Sequence, residues 1–307
     1  MVSPELSGEV YRKPFISCMF GCAMQPHAFI KRWSNEVPTL YFLDICAVNA
    51  TKIPKENVKI DTRKAKLVER LIRLDKSHNS FSYLLALAEK VSDSRGKMSN
   101  DELLEQVLRD VAALRAFFVK SRIIEPDEFL ISYTQDLYQV PHEVAHDAYI
   151  KFLRIANDRL DLGNAVAKPH RLRKAEEILM EADALAIGRQ HPVVLVTLAC
   201  LYGNSSAKRV MKFKANTVRF DAENALADIM IISRFFPEKL KMEQAGREWK
   251  TSYDQCDFIT DDDGLLGILR CFEAKNARLE KIENLYRTYI EVKLNFRLLF
   301  TEISSLN

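Results

Sequence analysis

The chain has 307 residues, 48% hydrophobic and 28% charged, with a formal net charge of +3. That length and balance mark an ordinary globular protein with one large core or two modest ones, and exclude a chain too polar to fold. The charge is too small to identify a nucleic-acid binder, because phosphate binding depends on clustered cations rather than on the total.

Only 9 Gly and 10 Pro favour long helices over a sandwich of short strands. The six cysteines, Cys18, Cys22, Cys46, Cys200, Cys256 and Cys271, show no paired CxxC spacing. They disfavour a disulfide framework or zinc ribbon and fit reduced thiols in a cytoplasmic protein. No apolar run reaches the roughly 18 residues that span a bilayer, and the N-terminus lacks a signal-peptide core. The expectation is a soluble, cytoplasmic protein with no membrane partner.

In chain order, residues 14–24 and 38–50 are apolar runs that predict buried strands. An amphipathic helix is expected over Thr62–Asp75, with Leu67, Leu71 and Leu74 opposite Arg63, Lys66, Arg70 and Arg73. A second helix is expected over Ser80–Val91, and Ser99 with Glu102 predicts a capping box opening a third. Residues 126–190 read as helical with breaks near Gly163 and Pro169, and 192–201 (PVVLVTLACL) reads as a buried strand. Helices near 205–214, 221–235 and 238–250 and a helical tail to about Ser304 complete the expectation. Strands separated by helices imply an α/β fold with a mostly parallel central sheet covered by helices, whose ligands gather at the strand carboxyl ends.

Asp44 interrupts the second apolar run, and a buried carboxylate needs a partner or a metal. The alternative is a cap on the following helix. Asn49, five residues on, is a residue that could hold it in place.

The stretch Leu43-Asp44-Ile45-Cys46-Ala47-Val48-Asn49 resembles the first-strand signature of PIN-domain nucleases, in which the aspartate binds metal. Ser80–Glu89 resembles the family helix that carries a glutamate after an apolar stretch, which implies Glu89 as second acid; the other reading is a solvated glutamate beside Lys90. Glu181-Ala182-Asp183-Ala184, before Pro192–Thr197, is similar to the acid-bearing helix leading into a strand that ends in threonine. The resemblance implies Asp183 as an acid and Thr197 at the site. The sequence departs from the pattern after Thr197, where many members have another aspartate and this chain has Leu198-Ala199-Cys200. Asn224 and Asp228, four apart on one helical face, offer a substitute, with a plain exposed helix face as the other reading.

The resemblance implies Mg²⁺ or Mn²⁺ held by Asp44, Glu89, Asp183 and Asp228, and hydrolysis of RNA or single-stranded DNA as a toxin or defence effector. Hard cations take oxygen ligands, and such ions activate water against a phosphodiester. Two cationic runs, one with Arg171 and one with Lys208 and Arg209, fit phosphate positioning, unless they are solvated helix faces. The expected organisation is a PIN-like core over 1–236, a helical insertion at about 126–169, and a helical extension over 237–307. A homodimer or a protein inhibitor stands among the expected partners. The alternative function is a non-catalytic, helix-rich interaction protein on a degenerate nuclease fold. His142 and His146 read as surface histidines of one helix, Cys18, Cys22 and His27 as core residues, and Asp261–Asp263 as an acidic helix cap.

Overall fold

The apolar run around Asp44 divides in two: Thr39–Leu43 is strand β1, and Ile45–Thr51 is helix α1. The break falls at Asp44, whose extended backbone ends the strand and whose Oδ1 accepts from Ile45 N at 2.8 Å, so the carboxylate caps α1. The computed structural model describes residues 36–53, 62–92, 98–138, 145–282 and 285–304. The strand expected at 14–24, and Cys18, Cys22, His27 and His142, lie outside them.

After α1 come helix α2 (Thr62–Leu74), strand β2 (Ser80–Ser82), and helices α3 (Leu84–Ser92) and α4 (Asn100–Phe117). The helix expected from Ser80 thus begins with three residues of strand. The capping box at α4 is present: Glu102 N donates to Ser99 Oγ at 3.3 Å, and Ser99 N donates to Glu102 Oε2 at 2.8 Å. Ser99→Ala is expected to lower the unfolding free energy by about 1 kcal/mol, read as a shifted urea midpoint.

Strand β3 (Arg122–Ile123) precedes helices α5 (Asp127–Leu137), α6 (His146–Asp158), α7 (Arg171–Ala184), α8 (Pro192–Leu201), α9 (Ser205–Met211) and α10 (Ala222–Arg247). Strand β4 (Gln255–Ile259), helix α11 (Asp263–Leu269), an antiparallel pair β5 (Phe272–Ile282) and β6 (Leu285–Leu294), and short helices α12 (Phe296–Leu299) and α13 (Thr301–Ser304) complete the chain.

Three expectations are corrected. Residues 192–201 form a helix, not a strand: Pro192 opens it, His191 Nδ1 accepts from Val193 N at 3.2 Å, and Val193, Val194, Val196, Thr197, Ala199 and Cys200 are all buried. A helix that is apolar on every side has no visible period, so it reads as a buried strand. The helices expected at 221–235 and 238–250 are one helix that runs through Pro237. The expected helical tail is mostly the β5–β6 ribbon, paired from Phe272 with Leu294 to Ile282 with Leu285. Tyr, Thr, Ile and Val in LYRTYIEVKL favour the extended backbone over a helix.

The sheet has the order β3-β2-β1-β4, with every pair parallel. It confirms a mostly helical α/β protein with a parallel sheet flanked by helices. The boundary expected at 236 falls inside α10, and β4 beyond it pairs with β1, so residues past 237 belong to the sheet domain. Leu40, Phe42 and Phe258 pack into one core with α6–α10, while Leu43, Phe81 and Ile259 pack into a second with α1–α4. From β1 the chain moves outward to β2 and β3, then returns to place β4 on the other side of β1. The carboxyl ends of β1 and β4 therefore flank a topological switch point, where parallel sheets open a crevice. Among the described residues, no helix is long and apolar enough to cross a membrane.

Candidate functional site

Asp44 leaves the carboxyl end of β1 and Thr260 that of β4, and the two meet across the switch point. Thr260 Oγ1 donates to Asp44 Oδ2 at 2.5 Å, and the Cys46 thiol donates to the same oxygen at 3.0 Å. The backbone ladder runs into this contact, with Asp44 N donating to Ile259 O at 3.0 Å. Asp44 is 8% exposed. Burial, followed by the Asp44 charge, holds the Cys46 thiol far above its ordinary value, so it serves as a neutral donor.

Glu89, on α3, lies against Asp44. Burial, then the Asp44 charge and a hydrogen bond shared with that carboxyl, push Glu89 up to about 9, with Asp228 contributing. Its buried Oε2 has no hydrogen-bond partner among the described residues. Asp228, on α10, is pushed up to about 6 by burial, against the opposing effect of Lys212, with Asp262 and Asp44 adding repulsion. Lys212 Nζ lies 2.7 Å from Asp228 Oδ2. Asp262 caps α11, accepting from Leu265 N at 2.9 Å, and its own N–H donates to Thr260 Oγ1 at 3.0 Å. Four acids from β1, α3, α10 and the β4–α11 turn thus act on one another.

Glu89 is set in place by a second buried carboxylate. Glu125, just after β3, accepts from Ser82 Oγ and, at 3.1 Å, from Tyr83 N, fixing the turn from which α3 starts.

Of the expected residues, Asp44, Glu89 and Asp228 come together and Asp183 does not. Asp183 ends α7 on the surface, where Arg189 donates to both its oxygens at 3.1 and 2.6 Å and holds it below the usual carboxylate range. Thr197 is buried within α8 and donates to Val193 O at 2.7 Å, so it is a core residue. Since 192–201 is a core helix, Leu198-Ala199-Cys200 says nothing about a missing acid. Asn49 is exposed and accepts from Lys52 at 3.1 Å rather than bracing Asp44. Asn224 Nδ2 lies 3.5 Å from Asp228 Oδ2. Arg171 pairs with Glu302, while Lys208 and Arg209 are exposed on α9. His146 is partly exposed, with its Nε2 3.2 Å from Glu223 Oε2.

Sequence reasoning missed Thr260, Asp262 and Lys212 as neighbours of Asp44 and Asp228. The signal was present: Phe258-Ile259-Thr260-Asp261-Asp262 is a short apolar run ending in threonine and followed by acids, the arrangement sought at 192–199. β4 has only five residues and carries a charge at Asp257, so it stands out less than the longer apolar run of α8.

Among the described residues, no three Asp, Glu, His or Cys side chains form a group that could hold a metal ion. The donors that fit a hard cation are Asp44 and Glu89: both are carboxylates, and one Glu89 oxygen is buried without a hydrogen-bond partner among the described residues. Comparisons with family models, curated proteins and solved structures give no match to this chain.

Proposed function

We propose that this chain is a divalent-metal-dependent phosphodiesterase acting on RNA or single-stranded DNA, a PIN-like nuclease of the kind that serves as a cytoplasmic toxin or defence effector. The observation that carries the reading is the buried Asp44–Glu89 pair beside the switch point, with a Glu89 oxygen that has no hydrogen-bond partner among the described residues. Two acids held against each other in a site that raises one of them to about 9 gain most from a cation between them.

Asp44 and Glu89 are the residues that would hold Mg²⁺ or Mn²⁺, with Asp228 and Asp262 beside them. When bound, such an ion acidifies a water and stabilises the departing oxygen of a phosphodiester. The chain supplies the rest. Thr260 and Cys46 orient Asp44 by donating to Oδ2, Lys212 offsets the charge of Asp228, and Arg209 stands exposed on α9, whose backbone packs closely against the start of α11 at Gly264.

A second reading, a non-catalytic interaction protein, is favoured by the lack of a three-ligand group among the described residues. Labelled RNA and single-stranded DNA incubated with Mn²⁺ separate the two. Cleavage by the native chain, lost in Asp44→Asn and in chelator, is the expected result. Equal activity in both proteins, or none in either, removes the catalytic reading.

A further inference from the structure

A cavity of about 300 Å³ opens between the loop joining α6 to α7 and the α8–α9 corner. Its lining combines two cations, Arg171 and Lys208, with the Asn164 amide and an apolar wall that includes Val166, Leu201 and Phe213. One residue of each cationic run in the sequence, Arg171 on α7 and Lys208 on α9, therefore lines the same hollow.

Three features make this more than a gap in surface packing. Arg171 has a side chain only 17% exposed; its Nε donates to Val166 O at 3.1 Å and its Nη1 pairs with Glu302, while Nη2 has no hydrogen-bond partner among the described residues. The Lys208 ammonium forms no ion pair or hydrogen bond among the described residues, and its charge reaches the buried Cys200 thiol in the cavity wall. Gly163 packs the loop directly on the backbone of Lys214, where any side chain would collide.

The chemistry narrows the ligand. A guanidinium with unused donors beside a free ammonium is a site for a phosphate rather than for a neutral molecule. Phe213, half-buried and packed on Phe220 at 5.3 Å, gives an aromatic wall for a flat ring. The volume is at the lower end of the roughly 300–1,000 Å³ of small-molecule sites, which suits one small unit rather than a dinucleotide cofactor. Lys212, which pairs with Asp228, caps the carboxyl end of the short helix α9 that carries Lys208.

We propose that this cavity binds a nucleoside monophosphate unit, with its phosphate on Lys208 and Arg171 and its base against Phe213. The unit is either a free nucleotide or the phosphorylated end of a strand. The inference goes beyond the phosphodiesterase reading and does not depend on it.

Calorimetric titration of the full chain in EDTA tests it, since neither metal nor turnover enters. The probes are adenosine 5′-monophosphate, adenosine, inorganic phosphate, and a trinucleotide with and without a 5′-phosphate. The monophosphate, the phosphorylated trinucleotide or both are expected to bind roughly tenfold or more tightly than adenosine, phosphate and the unphosphorylated strand. The tighter of the two names the source. Lys208→Glu, at an exposed position that leaves the core untouched, is expected to weaken that binding by about tenfold or more, and Lys208→Arg to retain it. Binding unchanged by Lys208→Glu, phosphate binding as tightly as the monophosphate, or no binding of any probe would each overturn the proposal.

Discussion

Replacing Asp110 with alanine is expected to lower the unfolding free energy by roughly 3–5 kcal/mol, the cost of stripping a buried cation of its counter-charge. Asp110, on α4, is 1% exposed and carries three partners: Lys52 Nζ at 2.5 Å, Lys90 Nζ at 2.6 Å and Tyr83 OH at 2.9 Å. Burial alone would raise this carboxyl, but the hydrogen bonds from Lys52 and Lys90 outweigh it and hold Asp110 below its ordinary value. The pair is therefore stabilising above the unfolded carboxylate range and is lost as pH falls through the lowered value. Lys90 has a side chain only 9% exposed, so without Asp110 it must either hold an unpaired charge or lose its proton. Exposed Asp101, in the first turn of the same helix, is the control, with a loss near 0.5 kcal/mol or less. Urea unfolding of the two variants makes the comparison; equal midpoints would refute the brace. Lys52 caps the end of α1, which begins at Asp44, and Lys90 follows Glu89 on α3, so Asp110 ties together the two helices that carry the acid pair.

How much was legible follows from what each residue advertises locally. Asp44 stood out because a carboxylate in an apolar run is costly; the structure bears out the reading of it as the cap of α1 and places it against Glu89. The helices α2 and α4 were legible through one-sided apolar spacing and the Ser99–Glu102 box. Residues 192–201 misled because burial on all sides erases the helical period, and that error carried Thr197 and Asp183 into the expected site. Lys212 and Asp262 were hidden for a different reason. Their closeness to Asp228 is set by α9 packing on α11, where Gly264 and Gly267 approach Ser206, a long-range contact that no local pattern announces.

Glu89→Gln is expected to stabilise the metal-free chain at alkaline pH while removing its sharpest pH dependence. Glu89 is raised from 4.5 to about 9 in the folded chain, so between these values the folded protein keeps a proton that the unfolded chain has released. Stability then falls as pH rises, by up to about 1.4 kcal/mol per pH unit, and the loss is complete only above about 9. Asp228, raised from 3.8 to about 6, adds to the lower part of that window. Glutamine keeps the shape and the hydrogen bond to Asp44 without a titrating proton, so the variant's unfolding free energy should stay flatter above about pH 6, where only Glu89 titrates among the two. Between about pH 6 and pH 8 the gap between the two proteins should widen by roughly 3 kcal/mol, two pH units' worth of linkage. Thermal and urea unfolding in chelator at steps from about pH 5 to pH 9 make the measurement; parallel curves for the two proteins would mean that Glu89 ionises freely. With Mn²⁺ in place of chelator the order should reverse, because a cation between Asp44 and Glu89 favours the ionised pair and its binding energy is added to the folded state of the native chain alone.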